Sequence, residues 1–175
     1  MTFHDIARKT SLLTAIQMAI TVGLAYLIAV KMALWLHFGN AMVSGLWAGI
    51  SAIVVMQVQI EEVHHAGRLR MLGSLLGGVC SAVISFLLGY TVLSMVSTMF
   101  ITTILLSLLN MKAALRLANL TALIIIIVGM IDPSVSPWEN AFARVLQSAV
   151  GVSISIMLVW LFHPIRKKFD LFQSY

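Results

Sequence analysis

Six runs of apolar residues, separated by short polar breaks, fill most of this sequence and leave few folds open to it. A helix rises ~1.5 Å per residue, so crossing a ~30 Å hydrocarbon core takes about 20 mostly apolar residues. Runs near that length lie at residues 12–30, 43–60, 71–89, 92–109, 117–131 and 145–162, and the fifth reaches 113–131 by recruiting Ala113 and Ala114. Inside lipid, backbone N–H and C=O groups have no water to bond, so each run must be helical. The expected architecture is an all-α membrane protein, one integral-membrane domain over residues 1–175 with six transmembrane helices.

Composition removes the soluble alternative. The chain is 61% hydrophobic and 10% charged, whereas soluble domains carry about 25% charged residues. A globule of 175 residues has too little interior to hide that surplus. The net charge of +5 comes from small groups between apolar runs rather than a continuous stripe, which argues against nucleic acid. Cys80 is the only cysteine, so neither an intrachain disulfide nor a cysteine-based metal site is available. Arg8 and Lys9 before the first run resemble a signal peptide, but the run is longer than an h-region and no A-x-A-like site follows. It reads as a retained first span.

Turn chemistry separates the spans: Gly39 with Asn40, Gly89 with Tyr90, and the Asp132-Pro133-Ser134-Val135-Ser136-Pro137 stretch. With six spans and the N-terminus inside, the cytoplasmic Lys and Arg set is Arg8, Lys9, Arg68, Arg70, Lys112, Arg116, Arg166, Lys167 and Lys168, against Lys31 and Arg144 outside. That bias is what the positive-inside rule requires, and it puts both termini in the cytoplasm of a multi-pass inner-membrane protein. An internal echo accompanies it. Arg70-Met-Leu-Gly-Ser-Leu-Leu-Gly77 and Arg144-Val-Leu-Gln-Ser-Ala-Val-Gly151 agree at their first, third, fifth and eighth positions. Three spans separate the two segments, so they enter from opposite faces, the geometry of an inverted 3+3 repeat.

No enzyme motif is present, neither G-x-S-x-G, H-E-x-x-H nor a P-loop, so catalysis is not expected and no cofactor is implied. Glu61, Glu62, His64, His65, Arg68 and Arg70 form the one dense polar cluster; adjacent histidines diverge on a helix, and a solvated cytoplasmic loop explains the cluster better than a metal site. Arg70 and Arg144 each open a span rich in small residues: Gly73, Gly77 and Gly78 in one, Ala149 and Gly151 in the other. Small residues let helices approach closely, and two guanidinium groups at their mouths offer forked donors to a carboxylate. Interfacial snorkelling and topology signalling are the alternative. Gln57, Asn119 and Thr121 lie in the cytoplasmic half, as substrate partners or as ordinary helix-to-helix bonds. Trp35, Trp138 and Trp160 suit the interfacial belt, while Trp47 is the best candidate to line a path, since aromatic faces stack on aromatic substrates. All six acidic residues lie in loops or at span ends, so no intramembrane proton relay is visible.

Trp47-Ala48 with Ala52, Val55 and Gln57, followed by Arg70-Met-Leu-Gly-Ser-Leu-Leu-Gly77, resembles the second and third spans of the fusaric acid resistance or aromatic acid exporter superfamily. The segment Ala113-Ala114-Leu-Arg-Leu-Ala-Asn-Leu-Thr121, the stretch from Trp138 to Arg144, Gly151 and His163-Pro164 extend the resemblance over nearly the whole chain. It implies a membrane transporter that moves aromatic carboxylates or related amphipathic anions outward. The chain differs from larger members in having one set of six spans. A homodimer or a membrane partner would then complete a pathway, with the small-residue face from Gly73 to Gly78 as a candidate contact. The competing reading is a scaffold or accessory subunit that keeps the helical shell while a partner moves the substrate.

Overall fold

A computed structural model describes residues 12–37, 40–57 and 59–168. Among these, six α-helices and one 3-10 turn follow each other in the order α1 (Leu12–Trp35), α2 (Ala41–Val55), α3 (Ile60–Leu88), α4 (Val92–Leu108), the turn Lys112–Ala114, α5 (Leu115–Ile131) and α6 (Pro137–Lys168), with no strand. The α1, α3 and α6 helices and the Lys112–Ile131 segment are long and apolar enough to cross a membrane. By contrast α2 and α4 have 15 and 17 residues, or about 22 and 26 Å of helix.

The fourth and fifth spans lie where the apolar runs put them, but the first and sixth helices run past the expected ends at 30 and 162, to Trp35 and Lys168, and three further boundaries move. The α3 helix begins at Ile60 rather than 71, so the Glu61–Arg70 cluster is not a loop: it is the first third of a 29-residue helix. Two acidic residues in its first turn, Glu61 and Glu62, suit the positive end of the helix dipole, and the helix carries its charges out of the apolar layer. The α2 helix stops at Val55, where Met56 turns extended (φ −63°, ψ 123°), so Gln57 stands in the α2–α3 link and not on a span. The α6 helix starts at Pro137, not 145; proline at the first helical position has its φ preset and lacks only an N–H that would have no helical partner anyway.

Asn40 caps α2, its Oδ1 accepting from the backbone N–H of Met42 (3.0 Å) and Val43 (3.2 Å). Gly39, its companion in the expected turn, lies outside the described residues. Gly89 ends α3 at φ 69°, a conformation that favours glycine, and Asp132 Oδ1 bonds Ser134 N to hold the α5–α6 loop.

The α3 and α6 helices form the centre and run antiparallel. Gly67 faces Val152, Ser74 donates to Ser148 at 2.8 Å, and Gly78 faces Ala141, so partners descend one helix as they ascend the other. The α2 helix runs parallel to α6, with Ser44 against Gln147, Ala48 against Gly151, and Ala52 against Ser155. The α5 helix runs parallel to α3 in the same way, Leu117 against Gly73 and Ala122 against Ser81. The start of α1 meets the end of α6, where buried Arg166 donates to Gln17 Oε1 (2.8 Å) and Thr14 Oγ1 (3.2 Å). The described ends of the bundle therefore share one face.

Glycines set how closely these helices pack. A Cβ on Gly77 would strike the Ala118 carbonyl oxygen, and one on Gly151 would sit 2.5 Å from that of Ala48. Gly73 likewise meets Leu117 within the chain. The small-residue face expected to meet a second copy is occupied by α5 and the start of α6. Around the bundle, Leu93, Phe100 and Ile104 on α4 and Phe86 and Leu87 on α3 point outward, as lipid-facing side chains should.

Candidate functional site

Serine, asparagine and glutamine side chains at helical spacing give the centre of the bundle a polar seam inside an apolar shell. Burying such groups is unfavourable unless they find partners, and most do so across helices. Ser51 on α2 donates to Ser148 on α6 (3.4 Å), which also accepts from Ser74 on α3. Gln147 Nε2 donates to Ser44 Oγ at 3.0 Å. Asn140 Nδ2 donates to the Ile125 carbonyl at 2.9 Å, tying α6 to α5.

The two arginines belong to this seam. The positions expected at span mouths are corrected, because early helix starts bury both. Arg70 is the eleventh residue of α3 and 3% exposed; Arg144 is the eighth of α6 and 6% exposed. Each stands four residues before the Ser74–Ser148 crossing of two antiparallel helices, so the guanidinium groups flank that crossing from opposite membrane sides, each ~6 Å along its helix from it. Arg70 Nε and Nη2 both donate to Ser51 Oγ, at 3.1 and 2.9 Å. Arg144 Nε reaches Asn140 Oδ1 at 3.5 Å, and its guanidinium carbon lies 5.1 Å from the centre of the Trp47 ring, within cation–π range. In both arginines Nη1 is buried without a partner. Among the described residues no hydrogen bond joins either arginine to a carboxylate.

Arg144 opens onto a cavity of about 490 Å³ at the end of the bundle away from the described chain ends. Its walls are the turn after α1 (His37, Asn40), the start of α2 (Val43, Ser44), the end of α5 with the loop beyond (Val128 to Val135), and Asn140, Ala143 and Gln147 on α6. Asp132 and Glu139 stand exposed at the rim. Tyr90 braces that rim by donating its hydroxyl to the Val135 carbonyl (2.9 Å). Burial pushes the Tyr90 pKa above the ordinary tyrosine value.

The remaining sequence candidates scatter. Trp47 is half-buried against Arg144, while Arg70 is on the far side of the crossing from the cavity. Thr121 on α5 is 1% exposed and its hydroxyl is unpartnered. Asn119 spends its amide on Thr103 Oγ1 of α4 (2.9 Å), a helix-to-helix bond. Gln57 is in the α2–α3 link, apart from the seam. No group of three His, Cys, Asp or Glu among the described residues is arranged to hold a metal; His64 instead accepts from Trp160 Nε1 at 3.2 Å. Ser44, Ser51, Asn140 and Gln147 join the candidates although sequence reasoning passed over them. Their signal was available: polar residues inside apolar runs, at spacings that keep one helical face.

The family model for fusaric acid resistance protein-like proteins matches residues 25–158, from within α1 to within α6. The chain belongs to this family. Membership, with the apolar helices, makes it a multi-pass membrane protein of a transport family rather than an enzyme family. The matched region holds both arginines, Trp47 and the whole cavity wall. No curated protein and no solved structure matches the chain.

Proposed function

We propose that the protein exports small organic anions, aromatic carboxylates foremost, along a path that passes Trp47, Arg144 and Arg70. One observation carries the reading: two guanidinium groups are buried in a membrane protein, each with a free Nη1 and no carboxylate partner. An unpaired buried charge is strongly unfavourable, and charged residues inside membrane domains are paired or mark ion pathways. A carboxylate is the partner that fits the fork geometry, and Trp47 beside Arg144 offers an aromatic face for the rest of the molecule.

The same reading has both chain ends cytoplasmic and the cavity facing outward. Removing Arg70, Arg144 and Arg166 from the loop charges, since all three are buried, leaves Lys31 outside against Arg8, Lys9, Arg68, Lys112, Arg116, Lys167 and Lys168 inside, so the positive-inside bias persists. With that orientation the membrane potential favours outward movement of a negative charge by about 2.3 kcal/mol per 100 mV. The two halves, α1–α3 and α4–α6, form an inverted repeat in this proposal. Support comes from paired contacts: Gly151 on Ala48 and Gly77 on Ala118, Ser155 on Ala52 and Ser81 on Ala122. The working unit is a homodimer, or this chain beside a membrane partner.

The test is flux. Purified protein in liposomes, given benzoate and an imposed potential, should carry it saturably, and Arg144→Gln should abolish most of that flux while the protein stays folded. Flux at the level of empty liposomes from folded protein would favour the scaffold reading instead.

A further inference from the structure

Shifting α3 by 74 positions superimposes Arg70, Ser74, Gly77 and Ser81 on Arg144, Ser148, Gly151 and Ser155 of α6, and shifting α2 by 70 superimposes Ala48, Ser51, Ala52 and Val55 on Ala118, Thr121, Ala122 and Ile125 of α5. The contacts follow the shift. Gly151 presses on the Ala48 carbonyl as Gly77 presses on that of Ala118. Ser155 Oγ donates to the Ala52 carbonyl at 3.0 Å as Ser81 Oγ donates to that of Ala122 at 3.4 Å. Gly67 meets Val152 and Val55, and its equivalent Ala141 meets Gly78 and clusters with Ile125. Ser74 and Ser148, which are each other's equivalents, bond to one another, as residues beside a two-fold axis can.

The correspondence breaks at the arginines. Arg70 grips Ser51 with two donors. The equivalent grip would be Arg144 on Thr121, and it is not made: the Thr121 hydroxyl is buried and unpartnered, while Arg144 leans over Trp47 toward the cavity. The cavity breaks the correspondence in the same place. Its walls Ser44, Asn140, Ala143, Arg144 and Gln147 correspond to Ala114, Ala66, Leu69, Arg70 and Gly73. Here Ala114 and Arg70 are buried, Leu69 packs on the Leu106–Ala118 cluster, Ala66 packs beside Val63 and Gly73 lies against Leu117. A repeat protein in which one half is latched and the other open can exchange the two arrangements, and the exchanged state is the opposite-facing one.

We propose that Arg70 heads a second anion site, the cytoplasm-facing twin of the Arg144 site, closed in this conformation by the Ser51 latch, and that Thr121 latches Arg144 when the Arg70 site opens. A carboxylate taken up at Arg70 would then be released at Arg144 without either arginine moving far. Its ligand class rests on the export reading above, but the exchange of states does not.

Site-directed labelling separates the two. In a Cys80→Ser background, Ala143→Cys reports the outward cavity and Leu69→Cys its twin, each probed with a membrane-impermeant maleimide from its own side of reconstituted vesicles. Losing a hydrogen bond to a charged group shifts a two-state ratio about tenfold or more. Ser51→Ala should therefore raise Leu69→Cys labelling about tenfold and lower that of Ala143→Cys, and Thr121→Val should do the reverse. Thr121→Ser, which keeps the hydroxyl, should behave as wild type and controls for misfolding. Reciprocal labelling that benzoate does not alter would keep the twin site and sink the carboxylate reading. Benzoate flux with Leu69→Cys unreactive in every variant, or with both positions changing in the same direction, would overturn the twin site.

Discussion

Arg70 and Arg144 head segments that echo each other in sequence on two antiparallel helices, yet they are held differently. Arg70 is buried and clasped by Ser51; Arg144 rests on Trp47 beside an open cavity. The surrounding glycine and serine contacts are the same in kind on both sides. The difference therefore does not come from the packing frame. It lies in the polar groups that the frame carries, which teaches that the close-packed glycines hold the helices together and the arginines set the two ends of the seam apart.

The largest expected effects fall on the frame. Gly77→Val and Gly151→Val each force a side chain into a neighbouring carbonyl, and overpacking of this kind destabilises by about 1–3 kcal/mol or more. Both variants should lose monodisperse protein and melt lower, to a similar degree; loss in only one would break the equivalence. Next come the arginines. Arg144→Gln and Arg70→Gln should each lower benzoate flux about 10- to 100-fold. The two should divide by cause, the Arg144 variant losing affinity measured from the cavity side and the Arg70 variant losing turnover. Arg144→Lys should recover little, since an ammonium cannot reproduce the planar fork. Trp47→Ala should weaken affinity by roughly 3- to 30-fold and Trp47→Phe by less, in line with a cation–π contact of about 0.5 to 2 kcal/mol. Asn119→Ala should cost about 0.6 kcal/mol of stability, the typical size of an interhelical hydrogen bond in a membrane, and leave flux within about twofold of wild type.

The number and helical nature of the elements were legible because the bilayer imposes one length and one backbone solution on every apolar run. Their ends were not. The α2–α3 break at Met56 to Gln59 carries no glycine or proline, and the charges from Glu61 to Arg70 read as a solvated loop although α3 runs through them. Hydropathy registers what leaves water; it does not register a helix that continues past the apolar layer. That is why Arg70 and Arg144 were recognisable as site candidates but their depth was not. The echo between their segments was readable at four positions, and Ser81 with Ser155 would have extended it. Ser51 and Thr121 were harder, because their meaning depends on which helix lies opposite, and only the fold brings α2 to α6 and α5 to α3.

Equilibrium binding of benzoate to the purified protein in lipid nanodiscs, followed by calorimetry, addresses the buried arginines most directly. Wild type should bind saturably, and Arg144→Gln should bind at least tenfold more weakly while keeping the wild-type melting behaviour. Equal binding by the two proteins would contradict an anion site at Arg144.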